Sequence, residues 1–529
     1  MTLTADKFED GLRQRNFFPR MNRNADELPP CFTSESFSKR AANKIGQFKL
    51  SRDDGFGTIQ LSTTRFSLAP RELEVLHPIA FARLARHLKS NWSEWSQILT
   101  NNRSAIRVGP HEDGRIFSMT ARADSSVLDY PSGRFLAKVD ITTFYRSIYT
   151  HSLPWAIDGV RAAKESKGSS QGWADGLDKL LQASRRRETS GIPIGPGTSA
   201  VVGEILLGQV DQKLSAGFAD FNYLRFVDDY YCVTSGRDDA ETFIQTVRTM
   251  LLELRLNVHP LKTEIVELPY PNTPTWKRRL RASLGPNPRL INFLDALDDV
   301  IESAHHADED SAMRYVLLTL EDHLFSTASE SNQAGVDPIA KRLMNMAFAY
   351  PVVVGTLCRI LPQTTTGNSD DTVDSLNEIL VEHASKRRTD AMTWILYYLL
   401  KNDLAIHGES VDAVSMSRDC LSLALIARSK KWEYKVGEFL QDLETRNPKD
   451  YDRDEFWLLY YHFASKGKPA VDLPESYSEE LELLRSQQVE FIDLTIEPEF
   501  SPVPSPRPPR SRRGTPPRLS PYDISIGDY

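Results

Sequence analysis

The run Leu224-Arg225-Phe226-Val227-Asp228-Asp229-Tyr230-Tyr231-Cys232-Val233 decides how this chain is read. Two adjacent carboxylates interrupt a stretch of strand formers. Aromatic and β-branched residues on both sides suit a half-buried β-hairpin, with the acid pair at its tip. Aspartate is also an ordinary turn residue, so the pair alone reads as a turn. Its meaning depends on what the rest of the chain supplies.

Three other segments supply it. Phe135-Leu136-Ala137-Lys138-Val139-Asp140 reads as a strand ending in a carboxylate, and Tyr145 follows in the turn into a helix. A bulky ring there can floor a sugar pocket; the alternative is Asp140 as a helix cap with Phe144 and Tyr145 in the core. Gly191-Ile192-Pro193-Ile194-Gly195-Pro196-Gly197-Thr198-Ser199 is a glycine- and proline-punctuated loop that enters an apolar helix. Glycine permits close backbone approach to a flat ligand, and Thr198 or Ser199 could cap the helix, whose N-terminus favours anions. Arg185, Arg186 and Arg187 precede the loop as candidate phosphate contacts or as a solvated helix end. Last, His259-Pro260-Leu261-Lys262 leads into Thr263–Val266, a turn and then a strand. Lys262 could protonate a leaving pyrophosphate, or simply solubilise a strand edge.

The order of the four segments is the order of motifs A, B, C and D in a palm-domain polymerase. The chemistry demands it: two-metal nucleotidyl transfer needs carboxylates from neighbouring strands to hold both ions. A motif gains force from such structural context. The expected ligands are Asp140, Asp228 and Asp229, and the expected ions are two Mg2+, with Mn2+ as an alternative.

The same residues resemble reverse transcriptases, whose aromatic-x-Asp-Asp box is matched by Phe226-Val227-Asp228-Asp229. More narrowly, the chain resembles the abortive-infection and defence-associated reverse transcriptases of bacteria. Glu27–Phe32 (ELPPCF), Leu76-His77-Pro78, Asn91-Trp92, Ser147–Trp155 (SIYTHSLPW) and Ile192–Pro196 (IPIGP) carry that likeness. The resemblance implies Asp140, Asp228, Asp229 and Lys262 as catalytic residues, and Tyr145 as the gate against a 2′-hydroxyl. It puts Gly195 near the incoming base pair, with Ile194 and Ser199 beside the substrate. Ile194 stands where most reverse transcriptases carry Gln, although the abortive-infection group also has Ile there. The implied activity is RNA-directed DNA synthesis from dNTPs in antiphage defence, in some members primed from a protein hydroxyl. Implied partners are an RNA template or noncoding RNA and a DNA product. Three other readings stay open: an untemplated, protein-primed DNA-tailing polymerase, an inactive RNA-binding scaffold, and an RNA polymerase, against which Tyr145 argues.

The 529 residues are long enough for two or three domains. The expected fold is α+β: right-hand fingers and palm, an antiparallel sheet with helices, over 1–285, then an α-helical HEAT-like repeat domain over 286–470. Leu290, Phe293, Leu294, Leu297, Val300 and Ile301 form a 3.6-period stripe, while Met392–Leu400, Leu421–Ala427 and Phe456–Phe463 are apolar nearly all round. Helices of the latter kind must be sandwiched between others, as in a stacked array. Residues 471–529 read as an acidic helix and then a disordered tail of Pro and Arg, with Tyr522 and Tyr529 in it. A formal net charge of −8 argues against a basic nucleic-acid coat but leaves room for a local groove. Cys31, Cys232, Cys358 and Cys420 have no CxxC spacing, which disfavours zinc and disulfides. No leader or membrane-length apolar run is legible, so the expectation is a cytoplasmic enzyme without membrane contact. Helical arrays offer broad faces to partners, and self-association is expected.

Overall fold

The computed structural model describes residues 3–19, 27–47, 55–64, 70–100, 103–105, 107–108, 117–118, 133–165, 172–218, 221–269, 274–302, 309–326, 333–465 and 475–498. The tail 501–529, with Tyr522 and Tyr529, lies outside the described residues.

Among the described residues, eight strands form three antiparallel sheets. β1 (Thr58–Thr64) pairs with β2 (Pro70–Leu76), and β3 (Arg107–Val108) with β4 (Phe117–Ser118). The third sheet joins β5 (Phe135–Val139), β6 (Asn222–Phe226), β7 (Asp229–Thr234) and β8 (Glu264–Glu267) in the order β6-β7-β5-β8. β6 and β7 are the hairpin that the sequence predicts, closed by a two-residue turn at Val227-Asp228. β5 is flanked by β7 and β8, so the sheet places the end of β5 beside the hairpin tip.

The helix Gly197–Gly217 runs buried from Gly197 to Gly208, while Gln212, Lys213 and the last turn are exposed. Its buried part has no solvent face to present and lies inside the fold. Arg237–Glu253, by contrast, buries only Ala240, Phe243, Val247 and Leu251, a single stripe that packs on β5 and β7.

From Thr275 to Ser486 every element of the described chain is a helix. The predicted stripe is seen in Leu290–Glu302, where Phe293, Leu297 and Val300 are buried and Leu290, Leu294 and Ile301 pack at the margin. The three all-apolar stretches lie in the helices Thr389–Lys401, Cys420–Ile426 and Trp457–Ser465. Each helix here packs mainly on those one and two places along the chain.

This helical region also closes on the β1–β2 hairpin. The Gly57 amide donates to Asp454 Oδ2 at 2.9 Å and the Ser62 amide to Thr389 Oγ1 at 2.9 Å. A Cβ on Gly57 would stand 2.2 Å from the Tyr451 carbonyl oxygen, so only glycine permits this approach. Trp457 is fully buried between Phe17, His77 and Phe491. Past the helix Glu475–Ser486 the chain returns to its beginning: the Thr33 amide donates to Phe491 O at 3.0 Å and the Asp493 amide to Cys31 O at 2.8 Å. Nothing in the acidic composition of 475–498 announced this pairing.

Candidate active site

The register of β5 on β7 pairs Val139 with Tyr230. Asp140 directly follows Val139 and Asp229 directly precedes Tyr230, so the two strands bring both carboxylates to the same end of the sheet, with Asp228 in the turn.

Both approaches to the site bend through left-handed backbone. Val227 has φ of +51° and Thr143, three residues past Asp140, has φ of +43°. Those are uncommon values for β-branched residues, and such strain is held only where surrounding structure fixes it.

Lys262 enters from the third side. The Asp140 carbonyl accepts from the His259 amide at 2.7 Å, and Ile141 bridges Val258. This backbone contact brings the turn after His259 over Asp140, and Lys262 Nζ lies 3.1 Å from Asp140 Oδ2. Partial burial works against the ammonium charge. The hydrogen bond to Asp140 and the fields of Asp140, Asp229 and Asp228 outweigh it and raise the Lys262 pKa above its ordinary value. Three carboxylates thus act together on one cation.

Tyr145 lies in the short helix Phe144–Ser147, half-buried against Leu224, Phe226 and Val227. Burial, then the charges of Asp228 and Glu204, raise its phenol pKa, so the hydroxyl is neutral. Arg71 on β2, which pairs with Glu27 at 3.8 Å, acts on the same phenol in the opposite sense, a nearby cation that the sequence did not single out.

The glycine-rich loop is tied to this centre. The Ile192 amide donates to Tyr145 O at 2.9 Å, and the Glu74 amide of β2 donates to Ile194 O at 2.8 Å. Gly195 has φ of +121°, and a Cβ there would meet Pro19 Cβ at 2.6 Å, so the position requires glycine. Ile194 is half-buried with its side chain on the core. Thr198 and Ser199 do not cap the following helix. Pro196 holds the N-cap position with no side-chain bond, and both hydroxyl residues are buried within the first turn. Ser199 therefore has no surface to offer a substrate.

The arginine run divides. Arg185 reaches Glu74 at 3.4 Å and Glu188 at 3.3 Å. Arg186 pairs with Glu455, lies near Asp452, and stacks over the Tyr451 ring, so it clamps the helical region to the loop. Arg187 is exposed. Sequence reasoning offered all three to phosphates because it could not see that Arg186 meets Glu455, 269 residues away.

Among the described residues, no three of His, Cys, Asp and Glu are gathered tightly enough to hold a metal ion as they stand. The donor set nonetheless fits a hard divalent cation: the oxygens are carboxylates, and their combined field already stabilises a positive charge at Lys262. The four cysteines are free and buried. No helix of the described residues is long and apolar enough to cross a membrane.

Residues 73–294 match the family model described as reverse transcriptase (RNA-dependent DNA polymerase). The chain carries a reverse transcriptase domain. The match takes in Asp140, Tyr145, Gly195, Asp228, Asp229 and Lys262, and the domain is that of an RNA-directed DNA polymerase. No curated protein matches the chain in sequence. Among solved structures, telomerase from Candida albicans in complex with a fragment of telomeric RNA is similar at 13% identity, over 66% of this chain and 67% of that one. Its TM-score is 0.29, too distant a likeness to carry any conclusion about this chain.

Proposed function

We propose that the reverse transcriptase domain polymerises dNTPs at Asp140, Asp228 and Asp229, and that it serves antiphage defence. The convergence of three carboxylates on Lys262, with Tyr145 alongside, carries the catalytic part of this reading. The likeness of the ELPPCF, SIYTHSLPW and IPIGP segments to defence-associated reverse transcriptases supports the biological part.

In this reading the three carboxylates hold two Mg2+, which would activate the primer hydroxyl and steady the leaving phosphates. Every other role belongs to the chain. Tyr145 stands beside the acid tip and excludes a 2′-hydroxyl by bulk. Lys262, kept protonated by the carboxylates, lies where it can give a proton to pyrophosphate. Arg71 on β2, a cation within reach of the Tyr145 phenol by its field, would meet the triphosphate. Gly195, packed against Pro19, would bring its backbone beside the nascent pair. RNA is the proposed template partner and DNA the product, in the cytoplasm, and the helical region is a HEAT-type array through which copies of the chain associate.

The decisive experiment is Asp228→Asn in a dNTP-incorporation assay and a plaque assay, at matched protein level. Loss of both supports the proposal; full protection by the variant would make the chain a scaffold. Ile194 favours one variant of the reading. Its side chain packs on the core, so no amide from this position reaches a nucleotide, which fits synthesis without a template. Product sequencing separates the two: random or homopolymer DNA supports untemplated tailing, and faithful copies rule it out.

A further inference from the structure

Arg225 lies in β6, three residues before Asp228, and is completely buried. A buried guanidinium needs both counter-charge and acceptors for its fork of donors. Its Nε donates to Asp211 Oδ2 at 2.9 Å, Nη1 to Glu204 Oε1 at 2.9 Å, and Nη2 to Glu204 Oε2 at 3.0 Å. Glu204 and Asp211 are seven residues apart in the helix Gly197–Gly217, two turns along one face. Both are buried as well, and the Ser104 hydroxyl donates to Glu204 Oε2 at 2.9 Å.

One further bond leaves this ion network. Arg225 Nη1 donates to the Val227 carbonyl at 2.7 Å. That carbonyl belongs to the peptide leading into Asp228, at the residue with φ of +51°. A left-handed valine persists only when its surroundings over-determine it. The bond from Arg225 supplies that constraint and anchors the acid tip to a helix that does not itself carry the carboxylates.

Resting on the metal-binding reading above, we infer that Arg225 is a positioning residue. By tying the Val227-Asp228 peptide to Glu204 and Asp211 it sets the separation at which Asp228 and Asp229 hold a cation. Completely buried against Glu204, Asp211 and the Val227 carbonyl, it acts through the turn.

The test uses the purified full chain and Mn2+ as probe, followed by electron paramagnetic resonance without nucleotide. Arg225→Lys keeps the charge, but one ammonium cannot span Glu204, Asp211 and the Val227 carbonyl. Its Mn2+ affinity is expected to fall about tenfold, the usual scale for losing a group that orients a metal ligand. The Mg2+ needed for half-maximal dNTP incorporation should rise by the same factor, with KM for primer–template unchanged. The triple variant Arg225→Met, Glu204→Gln, Asp211→Asn removes the buried charges together and so avoids orphaning any of them. Folded by circular dichroism, it should show the same loss. Either folded variant binding Mn2+ within about twofold of the parent would overturn the inference, since a ligand-orienting group costs more than that. If the parent chain binds Mn2+ no better than Asp228→Asn, the metal-binding reading itself has failed, and the inference is overturned with it.

Discussion

The four-stranded sheet and the helical region solve opposite problems. Around the sheet tip, charge is concentrated: Asp140, Asp228 and Asp229 act on Lys262, and Arg225 is buried with Glu204 and Asp211. Two β-branched residues there hold left-handed backbone. In the helix Thr389–Lys401, by contrast, Met392, Ile395, Leu396 and Leu399 are buried without any strained residue among them. A site that must bind charge accumulates like-charge repulsion and backbone strain, and these must be offset by apolar burial elsewhere. The contact between the two regions, at Gly57, Arg186 and Trp457, is where that support reaches the polymerase.

The comparison can be broken most directly at the acid tip. Asp228→Asn should lower dNTP incorporation by on the order of a thousandfold, about 4 kcal/mol of barrier. Thermal denaturation should show no loss of stability, because one repelling charge is gone. A marked fall in Tm instead would mean that the tip is a structural element like any other. The converse variant is Trp457→Ala. Emptying a fully buried indole should cost about 3–5 kcal/mol by denaturant titration, and it should reduce incorporation only as far as it unfolds the chain.

Acid sharpens the contrast further. Burial pushes the His383 imidazole down to about 4, and Arg388 adds to this, although its bond to the Ala347 carbonyl opposes both. The imidazole is therefore neutral in the folded chain, while the unfolded chain titrates at its ordinary value near 6.5. Its contribution is complete above that value and is lost as pH falls from about 6.5 towards 4, by up to about 3 kcal/mol. Melting curves across that range should drop more steeply for the parent than for His383→Gln. The smallest effect concerns selectivity. Tyr145→Val should raise ribonucleotide use relative to dNTP about 10- to 100-fold in a competition assay, since a bulk-built pocket discriminates a hydroxyl only to that extent. An unchanged ratio would take Tyr145 out of the sugar pocket.

The acid hairpin was legible because its signal is local: alternating strand formers around a two-residue tip, which the register of β6 and β7 reproduces. The helices were legible for the same reason, as periodic or all-apolar runs. What lay hidden was long-range. Glu204 and Asp211 sit in an apolar helix and Arg225 in an apolar strand, each an anomaly in its own segment, and only the fold shows that the three anomalies answer one another. An acid pair spaced seven apart on one helix face was the clue available. The arginine run misled in the other direction, since Arg186 meets Glu455 rather than solvent. Thr198 and Ser199 looked like caps by residue type, but Pro196 already fixes the helix start.

The return of Phe491 and Asp493 to Thr33 and Cys31 has a consequence for synthesis. The segment holding Cys31 and Thr33 has its backbone partners at Phe491 and Asp493, so it leaves the ribosome long before they exist. At ordinary elongation rates of about 5–20 residues per second, the wait is roughly half a minute to a minute and a half. Throughout that interval Phe17, Phe18 and Phe37, which pack against Phe491 in the finished fold, lack their cover. The nascent chain thus exposes an aromatic surface until Phe491 has been made, a surface that chaperones would recognise and that a product terminated before Phe491 could never bury.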